Sequence, residues 1–311
     1  MPAFNSTPWI GDAIESIRAQ DYDAFEIIVI DDGSTDGTAE AVRRLDDRIR
    51  VFEQDRQGPA AARNLGVARA KGEYLAFLDA DDLWLPGKLK LQMDFFTTHP
   101  DARIVYTQHA YFSADDQVQA QSATAARATS ATPSLDHELS GWIYPELLLD
   151  SHIHIITAVI HRSVFDTVGG FDGQFGKGSD YDFWIRAARH FPAFRLKRVT
   201  ALYRIHEKGI TARHDSICAG YEILTRAIEQ YGYSGPDGRR GNVRLVRKHI
   251  AQVCFDHGYA HFWRGSPVIA FRDFLRAVRY GDWRPKTLGY SLMSMCRILL
   301  KPRYAASNVV V

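Results

Sequence analysis

Gly72-Glu73-Tyr74-Leu75-Ala76-Phe77-Leu78-Asp79-Ala80-Asp81-Asp82 runs from a turn through five apolar or aromatic residues into three carboxylates within four positions. The apolar run has the length of a buried strand, and the acidic cluster stands at its carboxyl end. Unpaired carboxylates beside a core strand are costly. A hard divalent cation bridging to a phosphate offsets that cost, so the cluster marks a place to hold a metal. An isolated D-x-D also reads as a capped turn that opens a helix, and the surrounding residues decide between the two.

Outward from this stretch, the chain alternates between two periods. Trp9, Ala13, Ile14 and Ile17 recur at helical spacing ahead of an apolar strand at 25–30; Ala39, Val42 and Leu45 precede a strand at 49–52. Ala61, Leu65 and Ala68 precede the strand at 74–78, and a helix at 89–96 precedes a strand at 104–107. Strands separated by helices predict an α/β fold: a largely parallel sheet, helices on both faces, and ligands at the carboxyl ends of the strands. Asp31-Asp32 and Asp79 to Asp82 both stand at such ends.

Residues 113–140 shift to Ala, Ser, Thr and Gln and read as a loop or lid; 153–160 is a β-rich apolar run. From Ser216 helices dominate. Ser266-Pro267 reads as an N-cap pair ahead of Val268, Phe271, Leu275 and Val278, while Leu288, Leu292, Met295, Cys296 and Leu299 share a later helical face. Packing between helices is the first expectation for that stripe, and docking on a membrane surface the second. The expected division is an α/β domain at 1–214, with a variable loop near 113–140, and a basic helical region at 215–311.

With 311 residues, 46% hydrophobic and 24% charged, the chain has the balance of a folded protein with a full core. Cys218, Cys254 and Cys296 are odd in number and far apart, which suggests neither a disulfide framework nor a zinc knuckle and fits a reducing cytoplasm. No apolar stretch approaches the roughly 18 residues of a spanning helix, and no charged-then-apolar leader is evident; neither export nor membrane integration is expected. The net charge of +1 conceals an asymmetry: from Arg239 onward 14 Lys and Arg face 3 Asp and Glu, an excess of +11 that leaves residues 1–238 at −10. The acidic front argues against nucleic acid as its ligand. The basic tail suits solvated helix faces, anionic lipid or a phosphorylated acceptor.

Two further motifs carry chemistry. In Asp31-Asp32-Gly33-Ser34-Thr35-Asp36-Gly37-Thr38, Gly33 permits a sharp turn while Asp32 can accept hydrogen bonds from a ligand above the sheet. Gln57-Gly58-Pro59-Ala60-Ala61-Ala62-Arg63-Asn64 opens a helix with small residues and one Arg, which can pair with a phosphate, a ligand carboxylate or one of the Asp clusters.

Together with Pro2-Ala3-Phe4-Asn5, Gly169-Gly170-Phe171-Asp172 and Asp180-Tyr181-Asp182-Phe183-Trp184-Ile185-Arg186, in order and spacing over residues 2–210, these segments resemble glycosyltransferase family 2, the inverting, nucleotide-sugar-dependent GT-A (Rossmann-like) fold. The resemblance implies a nucleotide site at Pro2, Phe4, Asp32, Arg63 and Asp81, with Phe4 stacking on the base, Asp32 bonding its edge and Arg63 neutralising its surroundings. It implies Mn²⁺ or Mg²⁺ at Asp81 and Asp82 with Asp79 in support, and Asp180 as general base toward an acceptor hydroxyl. His206, in Tyr203-Arg204-Ile205-His206, is either a contact to metal or diphosphate or an ordinary histidine.

The implied function is transfer of sugar from a UDP- or dTDP-sugar to a glycan or polyprenyl-linked acceptor in cell-surface polysaccharide synthesis, in the cytoplasm or peripherally on the inner face of the cytoplasmic membrane. The alternative is a catalytically impaired nucleotide-sugar-binding or scaffolding protein. A nucleotidyltransferase is disfavoured because no Gly-rich loop bearing Arg and Lys lies near the amino terminus. Two positions depart from the family. Ser179 stands where Glu is usual, which bears on acceptor placement or on the pKa of the base. Met1 stands where an apolar strand is usual, so the first strand is expected to be missing, through a truncation or a misplaced start.

Overall fold

The structure is a computed structural model that describes residues 1–113, 134–206 and 215–300. Most of the expected loop or lid at 113–140 lies outside the described residues. Of its remainder, Leu135 bridges to Leu196 and His137–Leu139 is a single 3-10 turn. The chain forms two compact units, Met1–Ile210 with Gln230–Gly241, and Thr211–Glu229 with Asn242–Val311.

In the first unit β1 (Pro2–Ala3), β2 (Ile28–Asp31) and β3 (Arg50–Glu53) form a parallel sheet in the order β1-β2-β3. Its two faces are covered for a reason visible along β2. Val29 points to one side, where Ile10 and Ile14 of α1 (Ile10–Arg18) and Val42 of α2 (Thr38–Leu45) form a core. Ile28 and Ile30 point to the other, where Ala62 of α3 (Pro59–Arg69) and the half-buried Leu65 meet them. The strand begins at Ile28 rather than at Phe25, which is exposed.

What stands in place of a full first strand is the two-residue β1, in register with Ile30 and Asp31, with the Met1 ammonium donating to the Ile28 carbonyl at 2.8 Å. Beside it a cavity of ≈ 780 Å³ runs between Ile27–Ile28 and residues 74–78.

A second sheet contains β4 (Tyr74–Ala76), β5 (Leu83–Trp84), β6 (Ile104–Phe112), β7 (Val159–His161) and β8 (Ala193–Arg204) in the order β4-β7-β6-β8-β5. Only β6–β8 is parallel here; β4–β7, β6–β7 and β5–β8 are antiparallel. Parallel pairing therefore holds through the first sheet and gives way in the second, because apolar periodicity reports a strand's burial and not the direction of its neighbour.

The run at 153–160 is strand only from Val159. Before it Ile155–Thr157 is a 3-10 turn, fixed by side chains from behind. Gln92 of α4 (Lys88–Thr98) donates to the Val105 and Thr157 carbonyls at 2.8 and 3.0 Å, and the Trp84 indole donates to the Ile156 carbonyl at 2.9 Å. Short helices α5 (Tyr144–Leu147), α6 (Arg162–Val168) and α7 (Ser179–Ala187) complete this unit.

The second unit is helical: α8 (Ala219–Tyr231) up to Glu229, α9 (Val243–Arg264), α10 (Pro267–Arg279) and α11 (Pro285–Leu299). Fully buried Asp273 binds His257 at 2.6 Å, Arg272 at 2.9 Å and Arg276 at 3.2 Å, so its charge is compensated on three sides. On α10 the buried positions are Ala270, Asp273, Phe274 and Ala277, while Val268 and Leu275 are exposed. Ser266 holds the N-cap position without a side-chain cap bond.

The larger correction concerns α11. Its buried residues are Thr287, Ser291 and Ser294, and the stripe expected to pack between helices is turned outward: Leu288, Leu292, Met295 and Leu299 are 43, 57, 37 and 73% exposed. Small residues permit close helix approach, so the Thr/Ser face takes the packed side and the leucines remain in solvent. Among the described residues no helix is long and apolar enough to cross a membrane.

Candidate active site

The acidic cluster follows β4, as its spacing requires, and its members have different surroundings. Asp79 accepts from Arg63 Nη2 at 2.6 Å. Asp81 Oδ2 lies 2.9 Å from His206 Nε2, and that imidazole packs on Trp9 with ring centroids 4.3 Å apart. Buried Asp82 accepts the Arg204 backbone N–H on Oδ1 at 2.8 Å, while its Oδ2 is buried with no hydrogen-bond partner among the described residues. Burial and the charge of Asp79 push Asp81 above its ordinary range, and burial, Asp81 and Asp79 push Asp82 well above it. Negative charge is thus crowded with an orphaned acceptor at its centre.

That environment fits a cation. No group of three or more His, Cys, Asp or Glu among the described residues makes a self-sufficient metal site. Mg²⁺ bound through one or two carboxylates completes its shell from water and substrate phosphates, and Asp81 with Asp82 matches this donor set.

Arg63, 8% exposed on α3, is the charge at the centre of the site. It pairs with Asp79 and also acts on Asp180 and Asp82. Asp180 sits in the first turn of α7. Burial raises its pKa, and Arg63 is the largest influence lowering it. Ser179 is buried at the start of that helix.

The turn ahead of α7 is clamped to α3: Asn64 donates to the Phe171 carbonyl at 2.9 Å and accepts its N–H at 2.8 Å. Gly170 is required there, because a Cβ would lie 2.7 Å from Asn64 Oδ1. Arg186 secures the same turn through the Val168 and Gly170 carbonyls.

At the end of β2, Asp32 is 4% exposed and its carboxylate accepts from the Gln57 and Gly58 N–H groups at 2.8 Å each and from Gln54 Nε2 at 2.7 Å. Three of its roughly four lone-pair sites are thus filled by the loop it organises. Asn5, at φ 49°, accepts the Thr35 N–H at 2.8 Å and donates its own N–H to Ser34 Oγ at 2.9 Å. Pro2 is buried in β1.

Phe4 follows β1, and its ring is covered by the Arg56 guanidinium at 3.7 Å. Arg56 was not a sequence candidate. Its sign was there as a cation in the loop between β3 and α3, beside Gly33, whose close approach would place a Cβ 3.2 Å from Arg56 N. Arg204, also missed, donates Nε to the Asp81 carbonyl at 2.7 Å and lies 4.5 Å over Phe112.

The sequence profile of glycosyl transferase family 2 matches residues 1–165. A glycosyltransferase of Rickettsia typhi is 31% identical over 217 residues, covering 70% of this chain and 63% of that protein. One of Rickettsia felis is 47% identical over 97 residues, covering 30% of this chain and 16% of the relative. The teichuronic acid biosynthesis glycosyltransferase TuaG of Bacillus subtilis is 40% identical over 98 residues, 30% of this chain and 39% of TuaG. The chain thus spans under two thirds of each of these relatives.

Among solved structures, S. aureus TarS 1-349 in complex with UDP-GlcNAc superposes with a TM-score of 0.62 at 16% identity over 90% of this chain and 79% of that one. The mannosyltransferase PcManGT from Pyrobaculum calidifontis, in complex with GDP-Man and Mn2+, gives 0.55 at 19% identity over 97% and 79%. These likenesses show the GT-A fold. By the profile match, the chain belongs to glycosyl transferase family 2.

Proposed function

We propose that the chain is an inverting glycosyltransferase that moves a sugar from a UDP- or dTDP-sugar to a hydroxyl of a glycan or polyprenyl-linked acceptor. The observation that carries this reading is the pairing, across Arg63, of a cation-seeking carboxylate cluster with the half-buried Asp180. Structures of TarS with UDP-GlcNAc and of PcManGT with GDP-Man and Mn2+ support a nucleotide-sugar donor and a divalent metal.

In this reading Phe4 and Arg56 form the wall against the base, and Asp32 fixes the loop beneath it while keeping one acceptor site. Mn²⁺ or Mg²⁺ at Asp81 and Asp82 would stabilise charge on the departing diphosphate. Arg63 pairs with Asp79 and opposes the effect of burial on Asp180, favouring its carboxylate form. Asp180 takes the proton from the acceptor hydroxyl as its oxygen attacks the anomeric carbon from the face opposite the leaving group, which inverts the configuration in one displacement.

A peripheral site of work on the inner face of a membrane follows from the α11 stripe and the basic excess after Arg239, two signals of the kind that make such attachment stable.

The test is Asp180→Asn. UDP affinity is expected to stay and transfer to fall by about 10²- to 10⁴-fold, the worth of a general base. Transfer at the wild-type rate refutes the base; UDP binding by the wild type without turnover across donors and acceptors favours the binding-protein alternative.

A further inference from the structure

Four rings close into a cycle on the second sheet. His109 and Tyr111 of β6 pack edge-on at 5.1 Å, His109 and His154 lie at 4.5 Å, His154 and Tyr203 of β8 at 5.0 Å, and Tyr203 returns to Tyr111 at 5.7 Å. Sheet register explains the grouping: Tyr111 stands opposite Tyr203 and His109 opposite Ala201. The alternate residues, Ala110, Phe112 and Leu202, turn to the other face and pack on Leu83 and Leu85. The rings are therefore not needed for that core.

Tyr111 is 65% exposed and opens the cycle to a ligand. The cycle also adjoins the reaction centre. His154 feels the charges of both Asp79 and Arg63, and Arg204, the residue after Tyr203, holds Asp82 Oδ1 at 2.8 Å through its backbone N–H.

The charge state selects the ligand class. Burial lowers His154, and burial with His154 lowers His109 to about 4, so both imidazoles are neutral near pH 7. An uncharged aromatic shelf fronted by the exposed Tyr111 ring suits a neutral polyhydroxyl ring, whose C–H surface stacks on an aromatic face.

We propose that His109, Tyr111, His154 and Tyr203 form the acceptor subsite, stacking a neutral pyranose of the acceptor beside the acidic centre. This rests on the glycosyltransferase reading and deepens it by naming the acceptor half of the site.

Saturation-transfer NMR on the full chain tests it, with methyl glycosides of glucose, galactose, N-acetylglucosamine and N-acetylgalactosamine as probes, and UDP with Mg²⁺ in the same tubes. At least one glycoside is expected to bind. Its dissociation constant should rise about tenfold or more in Tyr111→Ala, the order expected for losing one aromatic stacking partner, and stay near wild type in Tyr111→Phe, which keeps the ring. No glycoside bound by the wild type, or equal affinity in Tyr111→Ala, overturns the subsite. UDP bound without any glycoside sinks the subsite alone; a glycoside bound through Tyr111 without UDP sinks the donor reading and leaves the subsite standing.

Discussion

Lys88 is fully buried on α4, with its Nζ 2.6 Å from Gln92 Oε1 and 4.5 Å from the Trp84 ring centre. Burial lowers its pKa from 10.5 to about 7. The folded state therefore binds fewer protons than the unfolded state between those values, so stability rises with pH across that window and is lost as pH falls from 10.5 toward 7. Each pH unit inside it carries about 1.4 kcal/mol.

Lys88→Met removes this dependence and leaves Gln92 Oε1 without its donor, a loss of about 1–3 kcal/mol that does not vary with pH. Urea unfolding of both proteins, followed by circular dichroism, isolates the titration, because every other group cancels in the difference. Between about pH 7 and about pH 9 the wild type should gain about 2 kcal/mol on the variant. A difference constant with pH refutes the buried, neutralised lysine. The network matters beyond stability, since Gln92 and Trp84 hold the turn that carries His154.

Removing the guanidinium in Arg63→Gln should raise the pKa of Asp180 further, so the acid limb of the pH–rate profile, where activity is lost as pH falls, moves to higher pH; an unmoved limb separates Arg63 from the base. Sedimentation with vesicles tests the outward stripe of α11. The wild type should bind anionic vesicles less tightly as salt rises, and Leu292→Glu with Leu299→Glu should weaken binding at least about tenfold, given about 1.5–3 kcal/mol per buried leucine. Equal partitioning into neutral vesicles removes the electrostatic part of that account.

The strands and helices flanking the site were legible because β2 and β4 are short apolar runs whose carboxyl ends hand over to polar motifs, a local pattern needing no tertiary context. Strand direction in the second sheet was not, since β7 lies between β4 and β6 through contacts that no periodicity records. The first expectation for the α11 stripe, packing between helices, failed because a helical spacing of leucines says that one face is apolar, and not that anything covers it.

Within the site the acidic cluster, Arg63 and Asp180 could be named from the sequence, and the structure brings Arg63 into the field of both. Arg56, Asn64 and His154 could not. Their roles depend on which loop lies against which: Arg56 on Phe4, Asn64 on Phe171 and His154 on His109.

Isothermal titration of UDP into the purified chain, with and without Mn²⁺ or Mg²⁺, measures the cation demand of the acidic cluster most directly. The expected result is UDP binding strengthened at least about tenfold by the cation in the wild type, with that gain lost in Asp82→Asn, as removal of a charged metal ligand requires. UDP binding of equal strength with and without cation, or a gain that survives in Asp82→Asn, contradicts the assignment of Asp81 and Asp82 to a metal that carries the diphosphate.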